Sequence, residues 1–199
     1  MSAGLLKTIA LSVALACSLP TAFAADLTAG AVAAPDRYGA NVAAQILRGG
    51  GNAVDAAVAT AFTLAVTYPE AGNIGGGGFM TLYVDGKPYF LDYREVAPKA
   101  ASKTMYLNEK GEVIENLSLV GSRAAGVPGT VLGMETAREK YGKLSREQVL
   151  APAIRLAREG FVLTRADTDI LDTTVARFKQ DPEPAKIFLR PDGSPLQPG

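Results

Sequence analysis

The sequence predicts an α+β fold from three observations. Apolar residues recur at helical spacing across residues 38–48. The dipeptide Asp85-Gly86, a strong hairpin signal, separates two short apolar and aromatic segments. Helix-capping patterns then recur in the second half of the chain. A hydrophobic content of 48% with 20% charged residues is typical of a globular protein and not of a disordered one.

Two helices are predicted before the hairpin. Asp36 is placed to cap the first, and Gly49-Gly50-Gly51 ends it because glycine accepts a left-handed backbone. Asn52 is expected to cap the second helix, with the Asp55 carboxylate favourably placed in its first turn. Residues 56–66 are apolar on nearly every face. We therefore expect this helix to be buried on all sides in the complete fold, which requires layers of structure that residues 1–199 are not expected to supply alone.

The hairpin is predicted to consist of a strand over residues 79–84 and a returning strand over residues 89–93, both inside a sheet. Three more helices are expected, over residues 130–141, from a capping box at Ser145 to Glu159, and from a capping box at Thr164 to about residue 179. The proline-rich stretch after Asp181 predicts a turn and loop.

The first 24 residues have the pattern of a secretory signal peptide. Lys7 supplies a positive start, residues 9–19 form a short apolar stretch, and Ala22-Phe23-Ala24 fits the small-x-small cleavage site. Cleavage would leave residues 25–199 without a cysteine, because Cys17 is the one cysteine of the chain. A segment without thiols suits an oxidising compartment, so the expected location is the periplasm or the exterior.

The first 24 residues allow two alternatives to a signal peptide. A stable membrane anchor is disfavoured because the apolar stretch is shorter than the roughly 20 residues that span a bilayer. A lipoprotein would use Cys17 as the acylated residue, but Ala14 stands where such motifs usually carry leucine. The sequence therefore favours removal of the segment and no membrane anchor.

Charge and composition exclude several classes of function. Lys+Arg and Asp+Glu are both 20, so no basic excess indicates nucleic acid as a partner. The chain has no histidine, which excludes a Ser-His-Asp or Cys-His apparatus within it and removes the commonest zinc ligand. Asp55, Glu70, Asp92 and Glu95 have no recognised metal-ligand spacing. No metal and no cofactor are expected.

Two local features allow a functional and a structural interpretation. Arg94 follows an apolar strand, and its guanidinium could hold a carboxylate through two parallel hydrogen bonds. A structural ion pair with Glu95, Asp92 or Asp55 is favoured on spacing alone. The run at residues 75–78 lacks the Lys-Ser/Thr pair of a phosphate loop and leads into a strand, so it predicts a tight loop or a close backbone approach.

Three segments, taken in order, closely resemble the start of the large subunit of gamma-glutamyltransferases. They are residues 49–59 (GGGNAVDAAVA), residues 69–80 (PEAGNIGGGGFM) and residues 91–98 (LDYREVAP). Two later segments look like further landmarks of the same subunit, GVPGTV at 126–131 and LAREGF at 156–161. The resemblance runs from about Ala29 to the end of the chain.

The resemblance implies an N-terminal-nucleophile hydrolase, made as one exported precursor that cuts itself into a large and a small subunit. Together the two subunits form an αββα sandwich, which is incomplete in this chain. Residues 25–199 would be a truncated N-terminal portion of the large subunit. The nucleophilic threonine would lie in the small subunit beyond residue 199, with its own amino group as base. No catalytic residue is therefore expected here, and Thr130 is not promoted to that role.

The implied reaction transfers the gamma-glutamyl group of glutathione to water or to an amino acid or peptide acceptor through a threonine-bound acyl-enzyme. Arg94 matches the family arginine that holds the alpha-carboxylate of the glutamyl group, which shifts its interpretation to substrate binding. The chain alone should be inactive. Alternatives are a related acylase acting on beta-lactam side chains, a poly-gamma-glutamate transpeptidase, and a non-catalytic secreted module that binds gamma-glutamyl compounds.

Overall fold

A computed structural model describes residues 30–199, so the predicted signal peptide at residues 1–24 lies outside the described part. The elements belong to one unit, Val32–Gly199. In chain order they are α1 (Arg37–Arg48), α2 (Ala53–Thr67), β1 (Phe79–Val84), β2 (Lys87–Asp92), α3 (Thr130–Tyr141), α4 (Arg146–Glu159), α5 (Arg165–Phe178) and α6 (Pro182–Phe188), with a 3-10 turn at Ser122–Ala124. The predicted mixture of helices and one hairpin is confirmed.

The predicted helix starts are confirmed by the hydrogen bonds at the helix ends. The Asp36 side chain accepts a hydrogen bond from the backbone N–H of Gly39 at 2.6 Å. Asn52 and Ser145 each form a complete capping box with the residue three positions later. Gly50 has a φ of +90°, which accounts for the glycine after α1. These ends could be predicted because each depends on residues within one turn.

Helix α6 differs from the predicted loop. Asp181 caps it by accepting a hydrogen bond from the backbone N–H of Glu183 at 3.1 Å. Pro182 and Pro184 lie in its first turn, where a backbone N–H would have no acceptor inside the helix. The prolines that suggested a loop are therefore compatible with a helix start. Strand β2 likewise begins at Lys87, two residues before the predicted start.

The core forms where α2 packs against α1, α3 and α4. Val58 and Ala59 of α2 have no exposed surface, and Met134 of α3 and Val149 of α4 are also buried. One face of the hairpin adds to this cluster through side chains that alternate along the strands: Met80, Leu82, Val84, Tyr89 and Leu91. The alternation is the period-two pattern of a sheet with one face on a core.

Helix α2 is not buried on every side among the described residues. Ala57 is exposed, and Ala61 and Phe62 are half-buried. Helices α1, α3 and α4 cover only part of its surface, which agrees with the expectation that this chain alone does not supply all the layers around it. The all-apolar sequence of α2 still indicates that a further layer covers the rest.

The hairpin is a two-stranded antiparallel sheet in which Phe79 pairs with Asp92 and Val84 pairs with Lys87. Its second face is open among residues 30–199. Phe79, Tyr83 and Phe90 on this face are 53%, 76% and 62% exposed, and the rings of Phe79 and Phe90 stack at a centroid distance of 5.8 Å. A sheet face carrying three exposed aromatic rings has the composition of a buried surface.

Asp55 is a completely buried carboxylate. It closes the capping box of α2 by accepting a hydrogen bond from the backbone N–H of Asn52 at 2.9 Å. It also accepts hydrogen bonds from the backbone N–H groups of Lys143 at 3.0 Å and Leu144 at 3.2 Å, in the turn between α3 and α4. The side chain therefore ties α2 to that turn and is not available to Arg94.

A charge network also joins α3 to α4. The Glu135 carboxylate accepts hydrogen bonds from Nη2 of Arg138 at 3.0 Å and from Nε of Arg146 at 2.8 Å. Partial burial by itself would raise the pKa of Glu135, but the hydrogen bonds and charges of the two arginines outweigh it. The pKa of Glu135 therefore lies below its ordinary value of 4.5.

We expect Glu135→Gln to destabilise the protein, and the loss of unfolding free energy should be larger at neutral pH than in acid. A carboxylate whose pKa is lower in the folded state contributes stability above its unfolded-state pKa and loses it as the pH falls through the folded-state pKa. The difference between wild type and variant in the free energy of unfolding should thus shrink between about pH 5 and about pH 3. Urea titrations across this range measure it. Glu139→Gln is the control because Glu139 is exposed. A difference that is constant with pH would contradict the assignment.

Candidate functional site

Three loops that are far apart in sequence meet at the end of β2. They are the glycine run at residues 75–78, the segment 93–96 that follows β2, and the segment 126–130 that leads into α3. The carbonyl of Gly76 accepts hydrogen bonds from the backbone N–H groups of Gly129 at 2.8 Å and Thr130 at 3.1 Å. Val96 and Val127 exchange two backbone hydrogen bonds, at 3.2 and 2.8 Å. The loops therefore form one hydrogen-bonded cluster.

The glycine run approaches the Arg94 segment more closely than any side chain would allow. A Cβ atom on Gly77 would lie 2.6 Å from Oε2 of Glu95 and 2.7 Å from the carbonyl carbon of Arg94. Such distances require glycine, whatever its backbone angles. The run is thus a structural loop in contact with the chain beside Arg94, and the close backbone approach is to another chain segment.

Arg94 stands at the surface of this cluster. Its side chain is 63% exposed, and its Nε lies 3.3 Å from Oε1 of Glu95. Its backbone N–H donates to the carboxylate of Asp92 at 3.0 Å. Of the three ion-pair partners considered from the sequence, Glu95 is the one found. Within residues 30–199 the two terminal nitrogens of the guanidinium make no hydrogen bond, so a bidentate fork remains available.

The Glu95 carboxylate is kept charged by its surroundings. A hydrogen bond from its own backbone N–H and one from Arg94 lower the pKa of Glu95 below its ordinary value. Because Glu95 is partly exposed and Arg94 largely so, water screens their attraction. A ligand carboxylate with better geometry could therefore compete for the guanidinium.

A cleft of about 370 Å³ adjoins Arg94 between the end of β2 and the first turns of α3. Most of its lining is apolar, and the lining residues with polar groups on their side chains are Asp92, Tyr93, Arg94 and Thr136. Leu132 on α3 is 73% exposed. An apolar cleft with one cationic group can bind a small molecule that carries a carboxylate.

The carboxylates considered from the sequence are not brought together. Asp55 is buried under the α3–α4 turn, Asp92 is bound to the backbone of Arg94, and Glu95 pairs with its side chain. Glu70 instead interacts with Tyr68 and raises the pKa of that phenol by a hydrogen bond. Among the described residues, no three potential metal-ligating side chains of His, Cys, Asp or Glu are grouped.

Sequence reasoning did not single out Tyr93, Gly129 or Gly133, which pack together beside Arg94. Gly129 and Gly133 are four positions apart and therefore lie on one face of a helix start. That spacing is the signal that could have indicated a close neighbour on this face.

No helix within residues 30–199 has the length and apolar character needed to cross a membrane.

Comparison with known proteins gives consistent matches. The family model for gamma-glutamyltranspeptidase matches residues 39–199. The glutathione hydrolase proenzyme of Pseudomonas aeruginosa is 68% identical over 174 residues, which cover 87% of this chain and 31% of that protein. The acylase ACY 1 proenzyme of Pseudomonas sp. strain V22 is 38% identical over 163 residues, covering 78% of this chain and 29% of its own length.

A solved structure shows the same fold. The gamma-glutamyltranspeptidase from Pseudomonas nitroreducens, complexed with L-DON, is 64% identical and superimposes with a TM-score of 0.77. The match covers 85% of this chain and 51% of that one. The chain thus spans about a third of the length of the curated relatives that it matches.

Proposed function

The chain belongs to the gamma-glutamyltranspeptidase family, and we propose that it forms the N-terminal part of the large subunit of an exported enzyme. This enzyme transfers the gamma-glutamyl group of glutathione to water or to an amino acid or peptide acceptor. The observation that carries the proposal is the position of Arg94, which lies at a cleft on a framework of three hydrogen-bonded loops. In the described part of the chain its two terminal guanidinium nitrogens make no hydrogen bond and are available to a carboxylate. The high identity to a glutathione hydrolase proenzyme supports the same substrate.

Arg94 is proposed to bind the alpha-carboxylate of the glutamyl group. A guanidinium and a carboxylate match in a planar fork with two parallel hydrogen bonds, which fixes both the position and the orientation of the ligand. This orientation directs the gamma-carbonyl at the other end of the glutamyl group toward the nucleophile. The arginine thus positions the substrate and takes no part in bond making.

The bond-making group is proposed to be the N-terminal threonine of a small subunit that autocleavage releases from the precursor. Its hydroxyl oxygen attacks the gamma-carbonyl, the amine of the donor leaves, and a gamma-glutamyl ester forms on the enzyme. Water or an acceptor amine then breaks the ester. No metal or cofactor is needed for these steps.

The open face of the hairpin supports the expected αββα sandwich. Phe79, Tyr83 and Phe90 together present an apolar sheet face, and the cover of α2 is incomplete. A second sheet packed on the aromatic face would bury it in the manner of face-to-face sheets. We propose that the rest of the precursor supplies this sheet and that the signal peptide directs the protein to the periplasm or the exterior.

We expect the chain alone to be inactive and a hybrid precursor to be active. The hybrid precursor joins this chain to the remaining two thirds of the Pseudomonas aeruginosa relative. Purified chain should release no detectable p-nitroaniline from gamma-glutamyl-p-nitroanilide, whereas the hybrid precursor should cleave itself and then hydrolyse this substrate. Hydrolysis by the chain alone would contradict the proposal. So would a hybrid precursor that cleaves itself but has no activity.

The gene supplies an independent test of the precursor. An open reading frame that continues past codon 199 to a threonine-led second subunit is expected. A stop codon at that point would favour the alternative of a secreted module that binds gamma-glutamyl compounds without catalysis. In that case the purified chain should bind glutathione by itself, which isothermal titration measures.

A related acylase or a poly-gamma-glutamate transpeptidase is the enzymatic alternative, and the similarity to an acylase proenzyme is the observation that favours the former. The substrate preference of the full-length gene product discriminates between a gamma-glutamyltransferase and an acylase. A gamma-glutamyltransferase requires the alpha-carboxylate and should cleave gamma-glutamyl-p-nitroanilide much faster than 4-aminobutyryl-p-nitroanilide, which lacks only that carboxylate. An acylase should lose little from that deletion.

A further inference from the structure

We propose that Tyr93 is a positioning residue for Arg94. Its ring is wedged between two glycines, Gly78 and Gly133, and this wedge sets where the guanidinium stands when a gamma-glutamyl donor binds. The inference rests on the proposed function, because Arg94 is taken to bind the alpha-carboxylate of that donor.

The ring of Tyr93 fills a slot with a glycine on each side. On the side of the glycine run, a Cβ atom on Gly78 would lie 3.0 Å from Cε2 and 3.1 Å from the phenol oxygen of Tyr93. On the side of α3, a Cβ atom on Gly133 would overlap Cγ of Tyr93 and lie 2.6 Å from its Cδ1. Both walls of the slot therefore lack side chains at the points where the ring meets them.

The backbone of Tyr93 is fixed together with its ring. Its N–H donates to the carbonyl of Gly78 at 3.0 Å, and its carbonyl accepts from the N–H of Gly78 at 3.4 Å. The peptide that joins Tyr93 to Arg94 packs directly on Gly129, where a Cβ atom would overlap the Tyr93 carbonyl oxygen. Because ring and backbone pack on the same two segments, we infer that a displaced ring shifts this peptide and the Cα of Arg94 with it.

Arg94 depends on this support because its own side chain is largely exposed. Its side chain makes one hydrogen bond within residues 30–199, to the adjacent Glu95. Its backbone is the part held in place, through Tyr93 and through the Asp92 carboxylate. Since a fork of two parallel hydrogen bonds requires both nitrogens in place, the position of Tyr93 matters to the bound carboxylate.

The aromatic ring of Tyr93, and not its hydroxyl group, is proposed to position Arg94. The phenol oxygen lies 3.4 Å from the carbonyl oxygen of Phe79, a distance at the long limit of a hydrogen bond. Burial raises the pKa of Tyr93 above its ordinary value of 10.0, so the phenol stays neutral at neutral pH. Phenylalanine would keep the wedge, whereas alanine would empty the slot.

The test measures kcat and KM of the hybrid precursor with gamma-glutamyl-p-nitroanilide. Tyr93→Ala is expected to raise KM about tenfold and to change kcat less than about threefold, because the alpha-carboxylate is held equally before and during bond making, so its weakened contact lowers binding in both states. Tyr93→Phe should restore KM to within about twofold of wild type. Gly133→Ala, which pushes the ring from the other side, should raise KM as Tyr93→Ala does.

Gly142→Ala is the matched control for crowding without displacement of Tyr93. Its Cβ would lie 2.5 Å from Oδ1 of Asp55 and 2.7 Å from the carbonyl of Arg138, at the opposite end of α3. It should lower the melting temperature and leave KM unchanged. Self-cleavage into two subunits, followed on a denaturing gel, reports that each variant folds. If Tyr93→Ala does not cleave itself, Tyr93→Leu replaces it, with a smaller rise in KM expected.

Several results would overturn the inference. They are an unchanged KM in Tyr93→Ala or its leucine substitute, a Tyr93→Phe variant as impaired as Tyr93→Ala, and an equal rise of KM in Gly142→Ala. Failure of the proposed function looks different, since Arg94→Gln would then leave KM unchanged as well. A raised KM in Arg94→Gln with an unchanged KM in Tyr93→Ala rejects the positioning role alone.

Discussion

Replacing Arg94 with glutamine in the hybrid precursor is expected to raise KM for gamma-glutamyl-p-nitroanilide by about 100-fold. Glutamine keeps much of the side-chain length but removes the charge and the planar fork. The substrate carboxylate then loses two charge-assisted hydrogen bonds and is left without a counter-charge in the cleft beside β2. Steady-state kinetics measure the effect, and reactions without enzyme correct for spontaneous hydrolysis of the substrate.

Arg94→Lys separates the contribution of charge from that of geometry. Lysine restores the positive charge as a point charge, so it cannot make two parallel hydrogen bonds to one carboxylate. Its KM should lie between those of wild type and Arg94→Gln, about tenfold above wild type. An Arg94→Lys variant equal to wild type would show that charge alone suffices.

Arg165→Gln is the matched control for these variants. Arg165 is an exposed arginine paired with an exposed carboxylate, Asp169, at 3.6 Å, much as Arg94 is paired with Glu95. If the Arg94–Glu95 pair were merely structural, both glutamine variants should behave alike and leave KM close to wild type. A large effect at Arg94 with none at Arg165 distinguishes substrate binding from a surface ion pair.

The part of the fold that could be predicted from the sequence is the part set by neighbours in the chain. Asn52 and Ser145 mark helix starts because a capping box is closed within four residues. Asp85-Gly86 marks the hairpin for the same reason, since both residues have positive φ in the turn. Helix α6 was missed because prolines in a first helical turn and prolines in a loop have the same composition.

The candidate site could be predicted only in part, because its geometry is non-local. The sequence identified the glycine run and Arg94 separately, and the order of motifs connected them to one family. The hydrogen bonds from Gly129 and Thr130 to Gly76 join residues more than fifty positions apart, and no local pattern encodes that contact. The sequence likewise left the partner of Arg94 open among Glu95, Asp92 and Asp55, because the contacts that hold Asp55 under the α3–α4 turn join distant parts of the chain.

Asp55 is expected to be the residue whose loss destabilises the protein most. Replacing it with alanine would leave three partly buried backbone N–H groups, those of Asn52, Lys143 and Leu144, without the buried carboxylate that accepts from all of them. An unsatisfied buried donor costs about 1–3 kcal/mol, so the variant should lose roughly 3 kcal/mol or more of unfolding free energy. Urea titration of the self-cleaved hybrid precursor measures this loss.

Asp55→Asn distinguishes the loss of hydrogen bonds from the loss of packing. Asparagine has the same shape, but one of its two oxygens is replaced by an amide that donates, and this amide would face backbone donors. Its cost should therefore be smaller than that of Asp55→Ala but clearly above zero. A cost equal to that of alanine would show that both oxygens are needed.

Asp167→Ala provides the comparison within the same chain. Asp167 closes a capping box on α5 in the same way, accepting a hydrogen bond from the backbone N–H of Thr164, but it is only half-buried and binds no second segment. Removal of such a cap costs about 1 kcal/mol. If Asp55→Ala costs no more than Asp167→Ala, the link from α2 to the α3–α4 turn contributes nothing beyond an ordinary helix cap. A cost several times larger means that Asp55 of the GGNAVDAA segment links α2 to the α3–α4 turn, whereas the residue proposed to bind the substrate carboxylate, Arg94, comes from the segment after β2.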